Sequence, residues 1–201
     1  MIDHLRPALV LLGSLTLLTG VAYPLAITGV AQVLLPGAAN GSLVEVDGKV
    51  VGSRLIGQSF TDAKWFHGRP SATSAADPND ATKTVDAPYN AANSSGSNLG
   101  PLSAKLIDRV KADTEALKVE GGVATVPADA VTTSASGLDP HVSPAFARLQ
   151  VKRIAEARHL APDRLESLIA AHVAGRDLGF LGEPRVNVLD LNLALARLDP
   201  S

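Results

Sequence analysis

Residues 8–35 read ALVLLGSLTLLTGVAYPLAITGVAQVLL, and this stretch decides the organisation of the chain. It lies within a longer run, residues 7–44, that contains no Asp, Glu, Lys or Arg. A run of about 20 apolar residues is enough to cross the hydrocarbon core of a bilayer. The sequence therefore predicts a transmembrane helix over residues 7–35, preceded by a short tail, 1–6, and followed by a soluble domain, 36–201.

Two other interpretations of the apolar stretch compete with the membrane anchor. A signal peptide has an apolar region of only about 7–15 residues, although Gly37, Ala38 and Ala39 are small residues of the kind that a signal peptidase accepts. Cleavage after Ala39 therefore stays open. A buried core helix of this length would be unusual in so small a domain, so we favour the anchor.

Four residues inside the anchor predict contacts with other membrane helices. Gly13, Gly20 and Gly29 are small enough to let helices approach closely in lipid. Pro24 lacks a backbone donor and should kink the helix, leaving a carbonyl for a neighbour to satisfy. Since Gly and Pro are also commoner in membrane helices than in soluble ones, a helix that only tethers the domain is the alternative.

Charge leaves the orientation of the anchor open. Arg6 is the only Lys or Arg before the apolar stretch, whereas Lys49, Arg54 and Lys64 follow it. Taken alone, this pattern slightly favours a cytoplasmic domain. A short N-terminal tail before a long apolar stretch is nevertheless the usual layout of a chain whose C-terminal domain is exported.

The composition of the 201 residues excludes several classes of protein. Eighteen Lys and Arg against 20 Asp and Glu give a formal net charge of -2, which argues against a nucleic-acid binder. The content of 46% hydrophobic and 19% charged residues excludes a wholly disordered chain. The absence of Cys excludes a disulfide scaffold, a thiolate zinc site, a cysteine-ligated iron–sulfur cluster and a cysteine nucleophile.

The soluble part is predicted to open with a hairpin and a long polar region. Short strands at 43–46 and 49–51 flank Asp47 and Gly48, a pair suited to a type I′ turn. Residues 57–101 are rich in Ser, Thr, Asn, Asp, Gly and Pro, which predicts a long polar loop region. Aromatic residues at its edges should pin this region onto the domain: Trp65, Phe66 and Tyr89.

A helix is predicted between Pro101 and Gly121, where a glycine pair ends the pattern. Two more follow, one over residues 143–158 with Ser143 as its N-cap and one from Pro162. Residues predicted to face inward are Leu102, Leu106, Val110, Leu117, Phe146, Leu149, Ile154, Leu165, Leu168, Ile169 and Val173, with His172 at the edge of the core; those predicted to face outward are Arg148, Lys152 and Arg153.

The last apolar segment, residues 186–198, fits either a helix capped by Asn187 or a strand. Together these patterns predict an α+β fold: a single N-terminal transmembrane helix followed by one small mixed α/β domain with a small sheet.

No nucleotide-binding motif is present. The chain has neither a Gly-x-x-x-x-Gly-Lys-Ser/Thr loop nor the Asp-Lys-Thr-Gly-Thr sequence of P-type pumps. Any ATP chemistry is therefore expected to belong to another chain.

The residue types of a catalytic triad occur close together at Ser134, Ser136, Asp139 and His141. No Gly-x-Ser-x-Gly elbow accompanies them, and closeness in sequence is no evidence of triad geometry. A metal site from Asp139, His141 and His67 is as weakly supported, because Asp139 followed by proline first indicates a turn. We expect no catalytic and no metal-binding residues in this chain.

Two loops, residues 89–101 and 131–141, are dense in neutral oxygen donors, the ligand type that suits hard cations. The alternative is that Ser, Asn and Gly build only turns and helix caps. As candidate site residues in these two loops we take Asn90, Ser94, Ser97, Asn98, Thr132, Thr133, Ser134, Ser136, Gly137, Asp139 and His141.

These two loops resemble those of the C subunit of the bacterial Kdp potassium-transporting ATPase, the KdpC family. Residues 69–72 (RPSA) and 179–189 (GFLGEPRVNVL) resemble two further motifs of that family. The resemblance covers almost the whole chain, including the single N-terminal membrane helix. The chain departs from the family at Ser95, where a second glycine is expected, and at Leu102, where threonine is common.

The resemblance implies a non-catalytic accessory subunit of a high-affinity, ATP-driven potassium uptake complex. The implied partners are a potassium-channel-like subunit, a P-type ATPase subunit and a small membrane peptide. The complex would use ATP, Mg and potassium, with no cofactor held by this chain. The subunit would stabilise the assembly, act as a catalytic chaperone that raises the ATP affinity of the pump subunit, and/or assist potassium entry. The candidate residues of the two oxygen-rich loops would then lie at a subunit interface or at a potassium vestibule.

The resemblance also implies a single-pass protein of the inner membrane with an extracytoplasmic domain. Such a domain cannot touch ATP, so any effect on ATP affinity must be indirect, through membrane helices and a shifted equilibrium of the pump subunit. The rival hypothesis is a stand-alone, membrane-anchored exported domain that binds a small solute in the region 57–101.

Overall fold

An N-terminal apolar helix and a mixed α/β domain make up the structure, a computed structural model that describes residues 2–198. This combination confirms the predicted fold class. The chain forms two compact units, the first up to Ser53 and the second from Arg54. Residue 1 of the predicted tail and residues 199–201 of the predicted domain lie outside the described residues.

The predicted membrane helix is present and spans Leu5–Leu34, 30 residues. At 1.5 Å per residue it is about 45 Å long, more than the roughly 30 Å of a hydrocarbon core. Within residues 2–198 it is the one helix long and apolar enough to cross a membrane. Its parts are α1 (Leu5–Leu17), a π-helical turn (Leu18–Ala22) and α2 (Tyr23–Leu34).

The π-helical turn ends at Ala22, two residues before Pro24. Proline has no N–H to donate, and its ring crowds the carbonyl four residues earlier, here that of Gly20. Wider hydrogen-bonding rings accommodate such a carbonyl without ending the helix. The structure thus replaces regular α-helical bonding locally, at the place where the sequence predicts a kink.

The rest of the first unit is a short helix and a hairpin. Helix α3 (Pro36–Ala39) is followed by the antiparallel strands β1 (Leu43–Val46) and β2 (Lys49–Ser53). Asp47 and Gly48 have φ of 51° and 74°, as a type I′ turn requires. The predicted hairpin is therefore confirmed, although it belongs to the unit of the helix and not to the domain that follows.

A second hairpin lies inside the segment predicted as a long polar loop, residues 57–101. Strands β3 (Ser74–Asp77) and β4 (Asp80–Asp86) pair antiparallel. Asn79 donates its backbone N–H to the Asp77 carboxylate at 2.8 Å, which holds the turn. The prediction of loop is therefore wrong for these strands.

The small predicted sheet has three antiparallel strands in the order β5-β7-β6. They are β5 (His141–Val142), β6 (Val173–Ala174) and β7 (Arg185–Asn187). The side chain of Val186, at the centre of the middle strand, is fully buried.

Helices cover this sheet and confirm the predicted helical segments. The segment 143–158 is divided into two helices at Gln150. The last apolar segment is a short strand followed by a helix, and Asn187, at the end of the strand, caps the helix by accepting a hydrogen bond from the Asp190 N–H at 3.1 Å. The helices are α4 (Ala104–Gly121), α5 (Ala128–Val131), α6 (Pro144–Leu149), α7 (Val151–Arg158), α8 (Pro162–His172) and α9 (Val188–Leu198).

Two side-chain orientations differ from those predicted. Leu102 is 93% exposed because α4 begins only after Ser103. The Arg153 side chain, predicted to face outward, is 14% exposed because its guanidinium donates to the Glu120 carboxylate at 2.7 Å and to the Trp65 carbonyl at 3.0 Å. Arg153 thereby joins α7 to α4 and to the segment that enters the core.

Two buried amide side chains hold the backbone of Phe66 and His67. Asn192 accepts from the Phe66 N–H and donates to its carbonyl, both at 2.9 Å. Gln150 accepts from the His67 N–H at 2.7 Å and donates to its carbonyl at 3.1 Å. Both amides are at least 98% buried. This amide clamp satisfies backbone groups that would otherwise be buried unpaired and seats the fully buried Phe66 in the core, just before Arg69.

Candidate functional site

Three loop segments of the domain lie against one another, and they contain three of the four sequence motifs noted above. They are residues 68–73, which follow the amide clamp; residues 89–98, which follow β4; and residues 131–141, which lead from α5 into β5. We call these segments the loop cluster. They are far apart in sequence, so only the folded domain brings them together.

Hydrogen bonds cross between all three segments. The Ser71 hydroxyl donates to the Gly137 carbonyl at 2.8 Å. The Ser95 backbone N–H and the Ser94 hydroxyl both donate to the Ser136 carbonyl, each at 3.0 Å. Because backbone groups take part, these bonds fix the paths of the loops and not only their side chains.

Two glycines allow the segments to approach this closely. Gly137 has φ of 68°, and a Cβ added there would lie 2.5 Å from Thr73 Cγ2 and 2.7 Å from the Ser95 carbonyl oxygen. A Cβ on Gly96 would lie 2.8 Å from the Ala135 carbonyl oxygen. No side chain fits at either crossing without displacing backbone.

Tyr89 occupies a slot between two further glycines. A Cβ on Gly57 would lie 2.5 Å from its ring, and a Cβ on Gly68 would collide with its hydroxyl. The hydroxyl donates to the Arg69 carbonyl at 2.8 Å. Burial, together with the negative charge of Asp139, raises the pKa of Tyr89 to about 12, so the phenol keeps its proton and its hydrogen bond at physiological pH.

Asp139 is paired within the domain. Its carboxylate accepts from Arg69 Nη1 at 2.8 Å and from the His141 backbone N–H at 2.9 Å. Burial pushes the pKa of Asp139 upward, but hydrogen bonds from His141 and Arg69 outweigh it and lower the pKa to about 2. The carboxylate is therefore ionised at physiological pH, with its charge balanced by Arg69.

A cleft of about 540 Å³ opens beside this ion pair. Glu183, Pro184 and Arg185 of the motif 179–189 also line the cleft, so it joins that motif to two segments of the loop cluster. Asp129 lies in the cleft and accepts from the Ser143 N–H at 2.7 Å, which caps α6 from outside the helix. The ionisable residues that line the cleft are Arg69, Asp129, Asp139, His141, Glu183 and Arg185.

The candidates in the first oxygen-rich loop are mostly engaged in holding the domain. Asn90 donates its side-chain amide to the Ser74 carbonyl at 2.8 Å. The Ser97 hydroxyl accepts from Thr133 at 3.4 Å. Asn98 is exposed and has φ of 51°, a conformation that asparagine tolerates. Ser94 is bonded to the second loop, so Ser94 and Ser97 link the two loops and Asn90 links the first loop to β3.

The candidates in the second oxygen-rich loop serve local turns. The Thr132 hydroxyl donates to the Ala128 carbonyl at 2.7 Å, and Ser136 Oγ accepts from the Leu138 N–H at 3.1 Å. Ser134 is buried. The geometry favours the interpretation of these residues as turn and cap formers, and a role at a potassium vestibule or an interface stays a prediction.

The residue types considered for a triad or a metal site are arranged differently from either. Asp139 points to Arg69, and the His67 ring lies 3.1 Å from the Asp62 carbonyl instead of joining Asp139 and His141. Burial lowers the pKa of His67. Within residues 2–198 there is no group of three or more His, Asp or Glu side chains placed to hold a metal ion.

The membrane-packing candidates lie on an exposed helix. A Cβ added at Gly13, Gly20 or Gly29 would meet no described atom within 4 Å. The helix around Pro24 is exposed as well. Contacts of these four residues with another helix stay a prediction.

Sequence reasoning missed Asp129 and did not single out Arg69, Glu183 or Arg185 as site residues. The last three stand within the quoted motifs, so the motifs themselves carried a signal. Asp129 carried none, because its partner Ser143 lies 14 positions away and is recognisable only as a helix cap.

The pairing of Asp139 predicts a pH-dependent stability. A carboxylate whose pKa is lowered on folding stabilises the fold above its unfolded pKa of about 3.9, and this contribution is lost as the pH falls towards 2. We expect Asp139→Asn to lower the free energy of unfolding by about 2 kcal/mol at pH 6 and by much less at pH 2.5. Denaturant unfolding of the full chain in detergent, followed by the fluorescence of its only tryptophan, Trp65, measures this. A difference between the two proteins that does not change with pH would contradict it.

Comparison with known proteins gives one family across nearly the whole chain. The family described as K+-transporting ATPase, c chain, matches residues 5–197. A potassium-transporting ATPase KdpC subunit of Methylobacterium nodulans is 68% identical over 198 residues, which cover 98% of each chain. Proteins of the same name are 66% identical in Methylorubrum extorquens and 63% identical in Bradyrhizobium diazoefficiens, again over 98% of each chain.

Proposed function

Because this chain belongs to the KdpC family of K+-transporting ATPase subunits, we propose that it is a non-catalytic accessory subunit that holds the pump complex together. Its partners are the ATP-hydrolysing P-type subunit, a potassium-channel-like subunit and a small membrane peptide. It influences ATP affinity through these contacts and not by binding ATP itself.

The observation that carries this proposal is the apolar helix Leu5–Leu34, in which no residue is buried. A tether needs only length, but this helix also carries glycines with open space above them and a π-helical turn that ends two residues before Pro24. In lipid, helices associate through close packing at small residues and through polar groups that find partners. These features suit a helix that packs against other membrane helices.

The domain supports an assembly role better than a direct role in ion capture. Most neutral oxygen donors of the loop cluster are used in bonds within the domain. The charge of Asp139, which would attract cations near a pore mouth, is balanced by Arg69 at 2.8 Å. A loop cluster held this rigidly is suited to docking with little loss of conformational entropy.

An extracytoplasmic position of the domain fits the absence of nucleotide motifs. If the domain lies outside, it changes ATP affinity only by favouring one conformation of the pump subunit through the contacts that both make. The proposal therefore includes the catalytic chaperone role, as an indirect effect.

A cysteine in place of Asp163 tests the orientation, because the chain has no native Cys and this residue is exposed in the first turn of α8. We expect an impermeant thiol reagent to label it in intact spheroplasts. A cysteine in place of Asp3, before the helix, is the control and should react only after lysis. The reverse pattern would place the domain in the cytoplasm.

Co-purification tests the assembly role. We expect Gly20→Leu to cost about 1–3 kcal/mol in packing and to reduce the other ATPase subunits recovered with the chain in detergent. Ala26→Leu adds similar bulk at an exposed position of α2 that is not glycine, and it is the matched control. If both variants recover the other subunits as well as the wild type does, the helix serves only to tether the domain. Failure of the wild type to retain any subunit would favour the stand-alone solute-binding domain.

A further inference from the structure

The loop between β6 and β7, residues 175–184, presents three large apolar side chains to solvent. Leu178 is 82% exposed, Phe180 70% and Leu181 49%. They stand close together in sequence at the tip of one loop, and we call them the apolar knob. Grouped exposure of this kind marks interaction sites more often than scattered exposed leucines do.

Backbone geometry holds the apolar knob in one shape. Asp177 and Leu181 exchange two backbone hydrogen bonds, both at 2.9 Å. Leu178 has φ of 53°, and Gly179 and Gly182 have φ of 82° and 75°. A leucine in the left-handed region is unfavourable, and such residues are found where the surroundings or a function require them. The apolar knob is thus formed before any partner binds.

The charges at the base of the apolar knob cancel one another. Arg176 pairs with Glu183 at 2.7 Å, and Arg185 pairs with Asp177 at 3.3 Å. A loop that inserts into a bilayer surface gains from cations that remain free for lipid headgroups. Here both cations are matched by carboxylates, so an uncharged protein pocket is the better fit than a lipid surface.

The apolar knob is also continuous with the cleft beside the loop cluster. Glu183 and Arg185 belong to the base of the knob and line the cleft together with Arg69 and Asp139. An interface centred on the apolar knob would therefore have the polar cleft at its rim. An apolar centre with a polar rim is the usual arrangement of a protein interface.

We infer that the apolar knob inserts into an uncharged, apolar pocket on another subunit of the K+-transporting ATPase. This inference rests on the proposed function, because it requires that the chain is part of such a complex. The apolar knob then supplies most of the binding energy of the domain, because a few central apolar or aromatic residues usually dominate the binding energy of an interface.

The test is a pair of double variants of the full chain, co-expressed with the other subunits. Leu178→Ser with Phe180→Ser removes the apolar knob, whereas Leu102→Ser with Val119→Ser removes two apolar side chains that are 93% and 81% exposed elsewhere in the domain. We expect the knob variant to retain about tenfold fewer of the other subunits on purification, and the control to match wild type. Both variants should keep the thermal midpoint of the wild-type chain.

The outcomes separate this inference from the proposed function. Normal recovery with the knob variant, or an equal loss with the control, would overturn the inference while leaving the accessory role intact. Absence of the other subunits from the wild-type preparation would instead remove the proposed function.

A Phe180→Cys variant distinguishes a protein pocket from lipid. We expect a maleimide to label it about tenfold more slowly in the assembled complex than in the chain alone in phosphatidylcholine vesicles. Slow labelling in the vesicles without other subunits would identify the bilayer as the occupant and overturn the inference. Equal, fast labelling in both would overturn it as well.

Discussion

Replacing Gly137 with alanine should destabilise the domain by about 2–5 kcal/mol, through backbone strain and overpacking together. The residue has φ of 68°, which alanine adopts only at a cost. The added Cβ would lie 2.5 Å from Thr73 Cγ2 and 2.7 Å from the Ser95 carbonyl oxygen. Thr73 is buried and donates to the Ala87 carbonyl at 2.6 Å, so it cannot move aside without breaking that bond.

Gly100→Ala is the matched control for this variant. A Cβ at Gly100 meets no described atom within 4 Å, so we expect a change within about 0.5 kcal/mol. Denaturant unfolding of both full-length variants, followed by Trp65 fluorescence, makes the comparison. If Gly137→Ala unfolds at the wild-type denaturant concentration, the close crossing of the loops is not what holds the cluster.

Replacing Asn192 with leucine should also cost about 2–5 kcal/mol. Leucine is similar in size and apolar, so a simple hydrophobic accounting would predict a gain. It leaves the N–H and the carbonyl of Phe66 without their partners at 2.9 Å, deep in the core. Each buried backbone group left unpaired costs about 1–3 kcal/mol.

Asn93→Leu is the control for the amide clamp. Its side-chain amide also donates to a backbone carbonyl, that of Ser74 at 2.9 Å, but the residue is exposed and water replaces the lost bond. We expect a loss below about 1 kcal/mol. Equal effects of the two substitutions on the free energy of unfolding would show that burial of the amide is not the cause. Faster hydrogen exchange at the Phe66 amide should accompany Asn192→Leu alone.

Elements with a strong local signal could be predicted from the sequence. The membrane helix follows from a long run without charge, and the first hairpin follows from Asp47 and Gly48. The helix cap at Ser143 was equally readable, and its hydroxyl accepts from the Phe146 N–H at 3.0 Å. Each of these signals lies within a few residues of the structure that it specifies.

The hairpin β3–β4 lacked such a signal. Its strands contain Ala, Asp, Thr and Lys and little apolar surface, so no alternation of buried and exposed side chains marks them. Arg153 was misjudged for a related reason. A long cation at helical spacing is normally solvated, and only the tertiary fold brings Glu120 and the Trp65 carbonyl to it.

The candidate site shows the same limit. Composition selected both oxygen-rich loops, but it could not distinguish oxygens that are free to bind a ligand from oxygens that are already hydrogen-bonded within the domain. The bond from Ser94 to the Ser136 carbonyl joins residues 42 positions apart, and the Arg69–Asp139 pair joins residues 70 apart. Partners at such distances are set by topology, which no local pattern encodes.

The amide clamp also bears on the order in which the chain folds during synthesis. Asn192 lies 126 positions after Phe66, the residue whose backbone it satisfies. The membrane helix leaves the ribosome first, but Phe66 cannot be buried with its backbone paired until α9 has been made. Contacts this distant in sequence form late and slow the folding of a domain. A nascent chain therefore exposes its apolar helix long before its domain is complete, and only a chain made as far as α9 can finish folding the domain.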